Sequence, residues 1–254
     1  MPLLDPVYDF FVRLKGGTEH LSYGRPILAG WAAEQAAHLP SGATPRILDL
    51  GCGQGDDLAL MAKTIGRACE LHGLEGYGPY REICTAKGIV THPINVERDP
   101  LPFADASLDV VSMNQVLEHT KDIFFIFSEV SRVLKPGGVF LVGVPNLAAW
   151  HDRLLLLMGR QPSGMKVLGP HVRGFTREGF LKFAACDGYF RPEGFRGSAF
   201  YPFPAAASRL LARLLPGLAT ASFYRLRRTD KPGTFIDVLR ARRFETDYYT
   251  GPNP

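Results

Sequence analysis

The chain has 254 residues, of which 46% are apolar and 21% charged, so it can bury a full core and is too mixed in composition for a disordered or low-complexity protein. Its four cysteines, Cys52, Cys69, Cys84 and Cys186, are dispersed with no CxxC pair, which points away from a disulfide framework and from a cysteine-ligated zinc site. Net charge is +4 but uneven: residues 1–150 carry 12 basic and 17 acidic side chains (12 − 17 = −5), and residues 151–254 carry 17 and 8 (17 − 8 = +9), so anionic partners are expected for the second half.

The opening Met1-Pro2-Leu3-Leu4-Asp5-Pro6 lacks the basic and apolar regions of a secretory signal, and no run of about 18 apolar residues appears, so a cytoplasmic protein is expected. Residues 1–44 read as an N-terminal helical leader or lid, which would carry His20 and Tyr23, and residues 45–254 as the main domain. Within it, the apolar run 47–50 ends in a glycine cluster, as a buried parallel strand does. Helices are expected over 56–66 and 79–87, with strands over 69–75, 90–95 and 108–113 between and after them. Asp122 is a candidate N-cap for a helix whose Phe124, Phe127, Val130 and Leu134 recur at helical spacing, and Lys135-Pro136-Gly137-Gly138 is its expected stop. A strand at 139–144 follows. This alternation predicts an α/β fold with a mostly parallel sheet covered by helices on both faces.

Beyond Pro145 the rhythm changes to a leucine-rich helix at 154–158, a Gly/Pro-rich loop at 159–174, a helix from 176 to 188, and late strands near 189–196 and 235–241. Residues 205–228 mix leucines with Arg209, Arg213, Arg225, Arg227 and Arg228. They read as a helical insert over the substrate pocket with a solvated basic face, or as a helix making at most weak contact with a membrane surface.

In an open α/β sheet, ligands sit beyond the carboxyl ends of the strands, and the first strand-to-helix turn must let backbone approach them closely. Gly51, Gly53 and Gly55 lie at that turn in G-x-G-x-G spacing. A dinucleotide fingerprint needs G-x-G-x-x-G, and Asp56 stands at its third glycine position. By itself such a cluster is also compatible with an ordinary tight turn.

Four ordered segments then resemble the small-molecule branch of the class I S-adenosylmethionine-dependent methyltransferases, similar to the quinone-biosynthesis type. They are Ile47-Leu48-Asp49-Leu50-Gly51-Cys52-Gly53-Gln54-Gly55, Gly73-Leu74-Glu75-Gly76-Tyr77, Ile94-Asn95-Val96-Glu97, and Asn114-Gln115-Val116-Leu117-Glu118-His119, the last followed by Ser131 to Gly138 and by Val144-Pro145-Asn146. The resemblance covers roughly residues 46–146. It implies a Rossmann-like seven-stranded fold and S-adenosyl-L-methionine as cofactor. It also implies that Asp49, Gly51, Cys52, Gly53 and Gly55 pass along the methionine portion, with Asp49 orienting the loop and the amino group. Glu75, beside Gly76 and Tyr77, would accept from both ribose hydroxyls, a vicinal diol suiting a carboxylate's two oxygens. Asn95, next to Val96, would face the adenine amino group where relatives usually carry Asp. Asn114 and Gln115 would lie against the methionine end.

Methyl transfer from a sulfonium is an in-line displacement, for which the protein chiefly aligns the reactants and excludes water. A base is needed only if the acceptor must lose a proton. His119 is the candidate, or else a histidine that pins its loop. His20 and Tyr23 are candidate acceptor contacts from the leader. His171 and Arg173, in an H-x-R-x-F-T stretch, either bind an anionic acceptor or anchor the helix that follows.

The expected reaction is methylation of a small molecule, an anionic one included, or of a lipid- or sugar-linked one. RNA methylation has only the basic second half in its favour, and the N/D-P-P-Y/F tetrapeptide of amino-methylating DNA enzymes is replaced by Asn114-Gln115-Val116-Leu117. A cofactor-binding scaffold without turnover is the third reading.

Overall fold

The computed structural model describes residues 24–237; His20, Tyr23 and most of the last expected strand lie outside that range. Helix α1 (Arg25–Ala37) leads into β1 (Arg46–Leu50), α2 (Asp56–Ile65), β2 (Glu70–Leu74), α3 (Gly78–Ala86) and β3 (Val90–His92). Then come β4 (Leu108–Asn114), a single 3-10 turn at Leu117–His119, α4 (Ile123–Val133) and β5 (Leu134–Pro145). The remaining elements are α5 (Trp150–Leu157), α6 (Arg177–Ala184), β6 (Phe190–Ser198), α7 (Ala205–Leu214) and β7 (Ala221–Arg228).

The strands form one seven-stranded sheet in the order β3-β2-β1-β4-β5-β7-β6. Strands β1 to β5 are parallel and β7 runs antiparallel to both its neighbours. The chain order reverses between β1 and β4, so their carboxyl ends flank the crevice where such a sheet binds ligands. The apolar run of β5 serves two cores at once: Phe140, Val142 and Val144 join the cluster with α4 and α6, and Val139 and Leu141 join the cluster with α1 and α2. That two-sided burial is why the central strands read as continuous hydrophobic runs.

Helix α1 is a packed layer of the domain, with Leu28 and Ala32 fully buried against the sheet. The described part of the leader therefore contributes to the core. Asp122 caps α4 as its sequence position suggests, accepting from the Phe125 N–H at 2.9 Å, and Thr176 caps α6 in the same way through Gly179 at 3.1 Å.

Boundaries differ from the sequence reading at several elements, and three of the differences change what the segment is. The segment Lys135-Pro136-Gly137-Gly138 is already part of β5, where a bulge sets those residues against Asp109 between the Leu108–Leu134 and Val110–Val139 pairs. Helix α7 ends at Leu214, and after a 3-10 turn at Pro216–Leu218 the chain becomes β7, so the supposed helical insert is helix in its first half only. Inside β7 the alternation of Phe223 in one core with Tyr224 and Leu226 in the other outweighs the helical spacing of the preceding leucines. Residues 235 and 236, finally, form a turn rather than the start of a strand.

The reassignment also changes the role of the arginines. Arg225 donates to Glu34 at 2.5 Å, Arg227 to Glu193 at 2.6 Å, and Arg228, 7% exposed, to the Ser131 carbonyl at 2.7 Å. These cations tie β7 to α1, β6 and α4 and do not form a solvated helical face.

Candidate active site

Strand β1 delivers the chain into the turn Gly51 to Gly55, where all three glycines have positive φ, between 53° and 77°. A Cβ on Gly51 would stand 2.8 Å from Val116 Cγ2, and one on Gly55 would collide with Ile89. Gly53 differs: nothing lies within 4 Å of a Cβ there, so its face is open. The Cys52 N–H donates to the Leu74 carbonyl at 2.9 Å, tying the turn to β2.

This turn floors a cleft of about 340 Å³ at the carboxyl ends of β1 and β4. Of the sequence-predicted residues, Gly51, Cys52, Gly53, Asn114 and Gln115 meet there. Arg25, Asp56, Asp57 and Tyr80 also line the wall and were not singled out by sequence. Arg25 Nε donates to Asp57 Oδ1 at 2.6 Å, and Asn114 Nδ2 donates to Asp57 Oδ2 at 2.8 Å. A cation and an anion thus stand side by side on the cleft wall.

Gln115 has φ 56°, an uncommon conformation for a residue other than glycine, and its Nε2 is buried without a hydrogen-bond partner. Backbone held in that region and an unsatisfied amide are both features of ligand sites. Asp49 lies beneath the turn, 2% exposed, and accepts from the Ser112 hydroxyl at 2.6 Å. Burial, reinforced by the Asp57 carboxylate, pushes its carboxyl well above the usual range, while Ser112 and Arg25 oppose the rise. Burial also raises the Cys52 thiol, which keeps it protonated and unsuited to act as a nucleophile.

Glu75 follows β2 and accepts the Tyr77 N–H through Oε1 at 2.7 Å, shaping the turn Glu75-Gly76-Tyr77. The Tyr77 ring meets Tyr80 edge-on at 5.0 Å, and Tyr80 lies on the cleft wall. Asn95 is exposed, and its Oδ1 accepts from the Glu97 N–H at 2.9 Å, which uses one of that oxygen's two lone pairs. Val96 packs against the larger core.

A second group forms where the 3-10 turn after β4 meets the loop before α6. The Val172 N–H donates to the Glu118 carbonyl at 2.9 Å, and Arg173 Nη2 donates to the Lys121 carbonyl at 3.1 Å. The stitching brings His119 and His171 together, with ring centroids 4.7 Å apart, against the buried Glu118 carboxyl. Burial pushes that carboxyl up to about 7. Glu118 was passed over in sequence, although it adjoins His119, because nothing local shows that its side chain turns inward. His171 and Arg173 also line a cavity of about 70 Å³ with Asn146 and Asp152.

The family described as "Methyltransferase domain" matches residues 48–142. A protein of Mycolicibacterium smegmatis, named a probable S-adenosylmethionine-dependent methyltransferase, is 39% identical over 104 residues, which are 39% of this chain and 38% of that protein. The demethylmenaquinone methyltransferase of Thermus thermophilus is 31% identical over 141 residues, 54% of this chain and 60% of the relative. The chain thus spans less than two thirds of the length of either. Among solved structures, a SAM-dependent methyltransferase from Archaeoglobus fulgidus superposes with a TM-score of 0.55 at 15% identity, covering 87% of this chain and 99% of the other. Residues 48–142 match the methyltransferase-domain family, and the sheet that contains them has the same Rossmann-like fold as the Archaeoglobus fulgidus structure.

Proposed function

We propose that the chain transfers a methyl group from S-adenosylmethionine to a small-molecule acceptor. The observation that carries this reading is the cleft itself: an open-faced Gly53 and the partnerless Gln115 Nε2 beside the paired charges of Arg25 and Asp57, at the switch point of a methyltransferase domain. That donor set suits the cofactor. An amino-acid end needs a cation for its carboxylate and an anion for its amino group, which Arg25 and Asp57 offer, and Glu75 Oε2 is the atom suited to the ribose diol. When bound, the cofactor supplies a methyl group on a cationic sulfur that departs in line.

The chain's own residues hold the donor and exclude water. For an acceptor that must lose a proton, His119 Nε2 is the available ring nitrogen, since Nδ1 lies 3.2 Å from the Pro170 carbonyl. The Arg228 and Arg225 contacts weaken the RNA reading, because they use within the fold part of the positive charge on which it rested.

A lipid-linked acceptor is favoured by one further feature. Leu157, Val167 and Leu168 are 85%, 87% and 101% exposed, and a groove of about 830 Å³ between α5, α6 and α7 combines Leu181, Leu214 and Leu215 with Arg153 and Arg177, which outnumber the one carboxylate there, Glu178. Apolar surface beside arginines suits an amphipathic anion. No helix of the described residues is long and apolar enough to cross a membrane.

The test is to incubate the protein with labelled S-adenosylmethionine and separate fractions of small metabolites, lipids and RNA. Label is expected in the lipid or metabolite fraction. Label in RNA alone would overturn the acceptor class, and binding of the cofactor without transfer to any fraction would favour the scaffold reading.

A further inference from the structure

Both imidazoles at the second group have Nδ1 against a backbone carbonyl: His119 at 3.2 Å from Pro170 and His171 at 2.5 Å from Gly164. A carbonyl oxygen only accepts, so Nδ1 carries the proton in each neutral ring and Nε2 presents a lone pair. The two Nε2 atoms face one oxygen, Glu118 Oε1, at 3.9 and 4.0 Å. These separations are too long for hydrogen bonds. The other carboxyl oxygen, Oε2, is buried with no partner, in a side chain that is 2% exposed. Potential ligand atoms on three side chains, all within 4.8 Å of one another, therefore converge without a hydrogen bond between them. An arrangement of this kind is unfavourable unless a positive centre occupies the middle.

We propose that Glu118, His119 and His171 bind a divalent first-row transition-metal ion of the zinc type. With bonds of about 2.0–2.1 Å, two ligand atoms stand roughly 3.3 Å apart at the tetrahedral angle and about 4.1 Å apart when opposite; the 3.9 and 4.0 Å separations from Glu118 Oε1 lie between these values, and a pair at the outer bound of 4.8 Å closes by less than about 1 Å around the ion. Two imidazoles and a carboxylate suit zinc and its neighbours, whereas magnesium and calcium prefer oxygen ligands throughout. Each histidine is already oriented by a hydrogen bond from its second nitrogen, the usual support of a metal-ligating imidazole. His119 and His171 are partly exposed, giving the ion a path from solvent, and three protein ligands leave a position open for an oxygen donor. With the ion bound, His119 is a ligand and not a base. The separation of 52 residues between His119 and His171 is what hides the site from any spacing motif.

The test uses the untagged full chain, stripped with a chelator, titrated with Zn2+ by calorimetry and with Co2+ by visible absorption. One equivalent per chain is expected, with Co2+ bands of a four- or five-coordinate site. His119→Ala, His171→Ala and Glu118→Gln should each weaken binding at least tenfold, and His38→Ala should leave it unchanged. Because the Glu118 carboxyl is buried, the more exposed His119 variant, shown folded by circular dichroism, decides if Glu118→Gln fails to fold. No binding by the intact chain, or wild-type affinity in folded His119→Ala and His171→Ala, would overturn the assignment. Neither titration needs a methyl donor, so the outcome is separable from the methyl-transfer reading.

Discussion

Arg25 Nε lies 2.6 Å from Asp57 Oδ1, joining the helix that precedes the sheet to the first turn of the helix that follows the glycine loop. Asp57 also receives Asn114 from the end of β4, so one carboxylate collects three segments at the cleft. The Arg25 side chain is 36% exposed, and an ion pair of this kind contributes at most about 1 kcal/mol to stability. Arg25→Ala should therefore leave the melting temperature nearly unchanged while weakening S-adenosylmethionine binding by roughly tenfold or more, the loss expected for a charge-assisted contact. Calorimetry and thermal denaturation on the same preparation measure both. A large drop in melting temperature with unchanged affinity would assign the pair to the fold alone.

The glycine loop makes a graded prediction. Gly53→Ala meets no neighbour and pays only for its positive φ, about 1–2 kcal/mol, whereas Gly55→Ala adds a collision with Ile89 and must disturb the packing of α2. Chemical denaturation should rank Gly53→Ala as the more stable variant. Cofactor affinity should nonetheless fall in Gly53→Ala, because its new methyl projects into the open side of the loop. Equal destabilisation of the two would contradict the packing argument.

The difference between these glycines was not legible in the sequence, where all three look alike. The strand-helix alternation, the cap at Asp122, the start of a helix at Thr176, and the cleft's floor were legible because they rest on local spacing. Arg25 and Asp57 were missed because their partnership crosses 32 residues and follows from the packing of α1 onto the sheet. The same limit explains β7: its arginines and the leucines before it have helical spacing, and only pairing with β5 and β6 makes residues 221–228 a strand.

Asp49 predicts a pH dependence. Its folded pKa lies above the ordinary 3.8, so the fold favours the protonated carboxyl. The associated stability is present at acid pH and is lost as pH rises from about 3.8 through the folded value. Asp49→Asn keeps an acceptor for Ser112 but cannot ionise, so the stability difference, wild type minus variant, should fall with rising pH. Urea denaturation at a series of pH values measures this difference, and parallel curves for the two proteins would refute the assignment.

Glu75 separates the nucleoside end of the site from the amino-acid end. Glu75→Gln should weaken adenosine and S-adenosylhomocysteine alike, by roughly tenfold or more for a lost charge-assisted hydrogen bond. Arg25→Ala should weaken only the second, since adenosine has no carboxylate. Competition calorimetry with both ligands checks the pattern. If Glu75→Gln leaves adenosine binding untouched, the turn after β2 is structural.

The central claim is that the cleft between β1 and β4 holds S-adenosylmethionine, and direct calorimetry of the full chain with that compound tests it most simply. One molecule should bind per chain, and Gly53→Ala and Arg25→Ala should reduce the affinity without unfolding the protein. No heat of binding and no thermal shift at millimolar cofactor would contradict the claim.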